Sequence, residues 1–139
     1  MTGGILMLFH SFASQDERRE FGGGDFLEFA FCKLRRGTSI KKIISDHEVS
    51  SLHWSNSSLF LLGDDWEEFC NAYGEIVANG TYANLETGYL DCCGINYFSP
   101  EQVQVIIDRL REEKPKDYQP LLNWLEQDTQ YNGFYVLGL

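Results

Sequence analysis

Four cysteines (Cys32, Cys70, Cys92, Cys93), three histidines (His10, His47, His53) and the paired carboxylates Asp64-Asp65 and Glu67-Glu68 are the side chains of this sequence whose types suit chemistry. A cysteine nucleophile acts as a thiolate, so it needs a base or a positive charge beside it. Cys70 falls on an apolar stripe at helical spacing and reads as a core thiol. Cys92 and Cys93 lie in an acidic stretch without Lys or Arg, and negative neighbours raise a thiol pKa. A small hydrolase using Cys92 or Cys93 with a histidine is therefore the weakest functional reading, and no catalytic residue is expected. Zinc sites draw cysteines a few residues apart or two histidines one helical turn apart, whereas the tight cysteine pair here is adjacent. Neither a metal nor a cofactor is expected. The paired carboxylates have the residue types of sugar hydrolysis, yet their spacing fits the start of a helix, where the dipole favours acid. Gly22-Gly23-Gly24 lacks the lysine and further glycines of a phosphate loop and reads as a hinge.

A binding role asks less of the acids, because it needs only a field. The formal charge is -10, and it is unevenly spread: residues 1–50 carry seven Lys/Arg against seven Asp/Glu, residues 51–139 four against fourteen. The 66 residues between Lys42 and Arg109 contain no Lys or Arg at all. Such a chain disfavours direct nucleic-acid binding, which rests on cations that displace counterions, and it disfavours an anionic membrane surface for the same reason. It suits a basic protein partner, steered by the field and anchored by aromatics. The candidate partner-binding residues are Asp64, Asp65, Glu67, Glu68, Glu86 and Asp91, with Tyr82 and Tyr89 as anchors. The alternative is a solvated acidic face that serves solubility alone.

The elements that must position these residues fit one domain over residues 1–139. Ile5 to Ser14 predicts an opening strand, and Gln15 to Glu20 a charged connection. Asp25 is placed to cap a helix from Phe26 to about Arg36, although Phe26-Leu27-Glu28-Phe29 also fits a buried strand. Ile40, Ile43 and Ile44 share one face of a short helix, with its lysines in water. Residues 50–62 read as a hairpin or a helix-to-strand loop. Asp64 with Glu67 resembles a capping box opening a helix that carries Trp66, Phe69, Cys70, Tyr73, Ile76 and Val77 inward and ends at Gly80. Residues 81–98 predict an ordered loop or short strands. Ser99-Pro100-Glu101-Gln102 combines cap, N1 proline and reciprocal glutamine, and opens a helix to about Glu113. A further helix starts between Asp117 and Pro120, Asn132-Gly133 turns the chain, and Phe134 to Leu137 closes it as a strand beside the N-terminal one. The expected fold class is α+β: a small sheet with N- and C-terminal strands, packed by about four helices.

The apolar run Ile5 to Phe9 is too short for a secretory core and has no basic flank, so a reducing, cytoplasmic setting with free thiols is expected and no membrane span.

The segment Gly88-Tyr89-Leu90-Asp91 followed by Gly94-Ile95-Asn96-Tyr97-Phe98-Ser99-Pro100-Glu101 resembles small bacterial immunity proteins, the partners of secreted or contact-delivered toxins. It is similar also to uncharacterised bacterial domains that start a helix with Tyr-Phe-Ser-Pro-Glu. The resemblance covers residues 51–139 at most. It implies a non-catalytic, stoichiometric blocker of a cognate toxin, often a basic nuclease. A non-catalytic adaptor or structural interaction domain is the alternative.

Overall fold

Phe26–Phe31 has an aromatic or aliphatic side chain at almost every position, the mark of a strand covered on both faces. The computed structural model describes residues 7–21, 25–45 and 57–138 and makes this segment the central strand β2. In chain order the described elements are β1 (Phe9–His10), α1 (Gln15–Phe21), β2, α2 (Ile40–Ser45), β3 (Leu59–Leu62), a 3-10 turn (Gly63–Asp65) and α3 (Trp66–Tyr73). There follow β4 (Gly80–Thr81), β5 (Thr87–Gly88), β6 (Ile95–Phe98), α4 (Pro100–Glu113), α5 (Tyr118–Leu125), a second 3-10 turn (Glu126–Gln130) and β7 (Phe134–Leu137). The strands form one antiparallel sheet in the order β1-β3-β2-β7-β6-β4-β5, and the fold is a single α+β domain.

The two faces of the sheet are buried by different helices. Leu27, Phe29 and Phe31 of β2 point with Leu59, Leu61, Phe134 and Val136 into the main core, against Phe69 of α3, Leu110 of α4 and Trp124 of α5. Trp124 stacks on Phe31 with ring centres 4.0 Å apart. On the opposite face Tyr97 and Tyr135 pack with Cys32 and with Ile43 of α2. Toward β1 that face carries the rings of Phe12, Phe21, Phe26 and Phe60, and the Arg18 guanidinium of α1 lies 5.6 Å from Phe26 and 5.8 Å from Phe60. Buried Glu28 accepts a 2.6 Å hydrogen bond from the Ser58 hydroxyl on this face, and burial raises its pKa.

Several expectations change. The helix expected over Phe26–Arg36 is the strand β2, because pairing with β3 on one side and β7 on the other satisfies its backbone while both faces bury apolar side chains. Gln15 to Glu20 is helix: the Ser14 hydroxyl accepts from the Glu17 amide, and the Glu17 carboxylate accepts from the Ala13 amide. β7 does not lie beside β1 but between β2 and β6, where its Phe134/Val136 and Tyr135/Leu137 sets serve opposite faces. α3 ends at Tyr73 and Gly80 opens β4, yet Ile76 and Val77 stay buried because both amides bond back to the Tyr73 carbonyl. Of Ile40, Ile43 and Ile44 only Ile43 is fully buried, and Ile40 is exposed. The hairpin expected over 50–62 falls largely outside the described residues; its last part is β3.

Other readings hold. Ser99 accepts from the Gln102 amide while the Gln102 side chain accepts from the Ser99 amide, so α4 opens on a complete capping box and runs to Glu113. Gly133 takes φ +76°, which only the turn before β7 requires, and a Cβ there would run into the Phe98 carbonyl. Beside this turn Arg36 donates to the carbonyls of Tyr131 (2.7 Å) and Asp128 (2.8 Å), and its guanidinium sits 3.6 Å from the buried Asp128 carboxylate. Burial outweighs that cation and pushes the Asp128 carboxyl up to about 6.

Ser99→Ala should cost about 1 kcal/mol of folding stability, read as a shift in the denaturant midpoint at unchanged m-value. Because folded Asp128 holds its proton to higher pH than the unfolded side chain, its ionisation removes stability as pH rises from the ordinary carboxylate value of 3.8 through about 6. Asp128→Asn should lose that component, so the gap between variant and wild-type melting temperatures should move in the variant's favour across this range.

Candidate functional site

The acidic residues singled out in the sequence come from two neighbouring parts of the structure. Asp64 and Asp65 form the 3-10 turn ahead of α3, and Glu67 and Glu68 its first turn. The expected capping box is absent. The helix starts at Trp66, whose amide bonds to the Gly63 carbonyl, and the Asp65 side chain makes no capping bond. A 3-10 turn running straight into the helix supplies the local hydrogen bonding, so these carboxylates are left on the surface with a favourable dipole.

The acid continues along the helix and into the turn that follows it. Glu68, Asn71 and Glu75 follow one another at helical spacing on the exposed side. The Tyr89 hydroxyl, at the end of the β4–β5 hairpin, donates 3.1 Å to a Glu75 carboxylate oxygen, and that bond raises the phenol pKa. Tyr89 is 59% exposed and Leu85, at the hairpin tip, 46%. Between α3 and the Tyr89-Leu90 segment lies an open groove of about 510 Å³, lined in part by Cys70, Asn71, Glu75, Tyr89 and Glu113.

The hairpin is internally braced. Asn84 bonds both the Glu86 amide (3.0 Å) and the Glu86 carboxylate (2.9 Å), and the tip residue Leu85 takes φ 72°. The Tyr82 hydroxyl donates 2.5 Å to the Tyr89 carbonyl, with the ring packed over Gly88 so closely that a Cβ there would collide with it. Tyr82 thus serves as a half-buried strut holding the more exposed Tyr89. Asp91 folds back on its own turn, accepting 2.9 Å from the Cys93 amide. Of the eight sequence candidates, the structure groups Asp64, Asp65, Glu67 and Glu68 at one end of α3, and Tyr82, Glu86, Tyr89 and Asp91 in and just after the hairpin. Glu75, which was not among them, links the two groups; its seven-residue offset from Glu68 was the signal that would have found it.

The stretch without Lys or Arg is not free of cations in space. Lys116 pairs with Glu68. Arg109 pairs with Glu113 at 2.7 Å and donates 2.8 Å to the Glu75 carbonyl. Both cations arrive from α4 and the turn after it, beyond the reach of a local charge count. Asp64 and Glu67 remain exposed, and among the described residues no ion pair involves them.

The cysteine reading fares differently. Cys70, Cys92 and Cys93 are free thiols. Cys93 is exposed, but its bond with Cys92 and the negative charge around it raise its pKa. His10 sits on β1, four strand positions from β6 and the Cys92-Cys93 turn before it, a span of about 19 Å at ordinary strand spacing. It is the one histidine among the described residues; His47 and His53 lie outside them. Among the described residues no helix is long and apolar enough to cross a membrane.

Comparison with protein-family models, curated proteins and solved structures returned no match.

The raised thiol pKa gives a direct expectation: at neutral pH Cys93 should alkylate with iodoacetamide more slowly than a small free thiol such as glutathione, despite its exposure. Site-resolved mass spectrometry over time measures it, and equal or faster labelling would contradict the assignment.

Proposed function

We propose that this chain is a non-catalytic binding protein of the immunity type, which docks a basic toxin domain against the surface running from the acidic start of α3 to the β4–β5 hairpin. The observation that carries the reading is that Asp64, in the 3-10 turn before α3, and Glu67, in its first turn, are uncommitted to capping or ion pairs among the described residues, while Glu75, just past the end of the same helix, holds the exposed ring of Tyr89. Charge and an aromatic anchor on one helix-hairpin unit supply the two ingredients of a fast, tight complex. The acids raise the encounter rate, and a desolvated tyrosine slows release. The groove beside Tyr89 adds a recess into which a partner side chain can insert.

In this reading the carboxylates cover a positively charged site on the partner, such as the phosphate-binding surface of a nuclease, without chemistry of their own. The resemblance of residues 88–101 to immunity proteins points to the same class of partner. Lys116 and Arg109 then have an orienting role: Lys116 holds the Glu68 carboxylate and Arg109 holds the backbone carbonyl of Glu75, while the other acids remain available.

The test is co-expression with the product of the neighbouring open reading frame, which this reading expects to be a basic toxin domain, followed by kinetic binding measurements. Reversal of Asp64, Asp65, Glu67 and Glu68 to Lys should lower the association rate at least about tenfold at low salt, with the difference shrinking as salt rises. Tyr89→Ala should mainly speed dissociation. Reversal of Asp16 and Glu20 on α1, over the opposite face of the sheet, matches the charge change of an Asp64/Glu67 double reversal and should matter little where that double reversal slows association. Unchanged protection and unchanged rates in the α3 variant would sink the proposal.

A further inference from the structure

The turn between β5 and β6 gathers three potential ligands, of which only Asp91 is also a candidate of the partner surface. Cys92 and Cys93 place their sulfurs 3.4 Å apart, and one oxygen of Asp91 lies with both sulfurs inside a sphere of mutual distances no greater than 4.8 Å. Adjacent side chains on extended backbone would diverge; here they converge because the chain turns. The Asp91 carboxylate accepts from the Cys93 amide, the Gly94 amide bonds to the Asp91 carbonyl, and the Gly138 amide bonds to the Gly94 carbonyl. Gly138 packs so closely that a Cβ there would lie 2.5 Å from the Cys92 carbonyl oxygen, so the end of the sheet holds the turn from behind.

From this geometry we infer that Asp91, Cys92 and Cys93 form a three-ligand site for one thiophilic d10 metal ion of the zinc or cadmium type, open to water at its fourth position. Two thiolates about 2.3 Å from a tetrahedral zinc sit about 3.8 Å from each other, close to the spacing already present and far from the roughly 2 Å of a disulfide. Soft sulfur ligands select this class of ion over magnesium or calcium, and a carboxylate as third ligand is within its range. The acidic surroundings favour a cation. Binding displaces one proton from each thiol to solvent and leaves the ion held by two thiolates and one carboxylate, with no change of oxidation state. The expectation of no metal, drawn from ligand spacing, overlooked that a turn brings adjacent cysteines to one side and that Asp91 precedes them. The inference is independent of the partner reading.

The full chain, reduced and then freed of reductant, is titrated with Cd²⁺ while the ultraviolet cadmium-thiolate charge-transfer band is followed, and Zn²⁺ is added as competitor. One equivalent should saturate the band, with the intensity of two thiolates, and Zn²⁺ should abolish it. C92S and C93S should each remove most of it, D91N should weaken binding by about tenfold, and C70S and C32S should leave it intact. Cys93 is exposed, so C93S tests the site without disturbing the core. A band that survives in the C92S/C93S double variant, one that vanishes in C70S, or no band at equimolar Cd²⁺ would overturn the assignment.

Discussion

β2 has to be covered on both faces and paired on both edges at once, and most of the architecture follows from that requirement. Its Leu27, Phe29 and Phe31 are buried against α3, α4 and α5, while Phe26, Glu28 and Ala30 face the side where α1 and α2 lie. A strand so enclosed has no edge to leave open, so β3 and β7 must flank it, and their own alternating apolar sets extend both cores. The helices are placed by the same demand. α3, α4 and α5 each contribute an apolar stripe to one continuous cluster, and burial of about 25 cal/mol per Å² of apolar surface makes that cluster the chief driving force for folding.

Two buried carboxyls interrupt this apolar interior. Glu28 is held by Ser58, and Asp128 by the neighbourhood of Arg36 at the turn that leads into β7. A buried carboxyl with a raised pKa is a cost to the fold wherever it must ionise, so these two groups tie stability to pH in the same direction. Asn132 and Tyr97 knit the same turn, the tyrosine donating 2.7 Å to the Asn132 carbonyl. The C-terminal strand is thereby fixed at its entry by side chains from β6 and from the loop after β2.

The surface that carries the functional proposal depends on this frame at one remove. α3 and the turn after it can present Glu68, Asn71 and Glu75 to solvent because Phe69 and Tyr73 anchor the other side of the helix in the core. The hairpin reaches Glu75 because β4 and β5 extend the sheet beyond β6 and Tyr82 props Tyr89 from beneath. The Asp91-Cys92-Cys93 turn leads from that hairpin into β6 and is braced by the end of β7. Partner surface and metal turn are therefore neighbours built on the same edge of the sheet.

Signals confined to one turn of chain were readable without a structure. The capping box at Ser99, the length of α4, the short helix at Ile40 and the turn at Asn132-Gly133 all follow from hydrogen bonds and backbone preferences among residues a few positions apart. The capping pattern at Ser14 and Glu17 was equally local and was passed over because the segment is rich in charge. The sequence alone also established the α+β class and the excess of acid in its second part. Tertiary structure alone decided that Phe26–Phe31 is strand, that β7 lies between β2 and β6, and that Lys116 returns to Glu68 of α3 and Arg109 to the Glu75 carbonyl just after it. Those outcomes depend on which apolar faces and which charges meet across long stretches of chain, and no short window contains both members of such a pair.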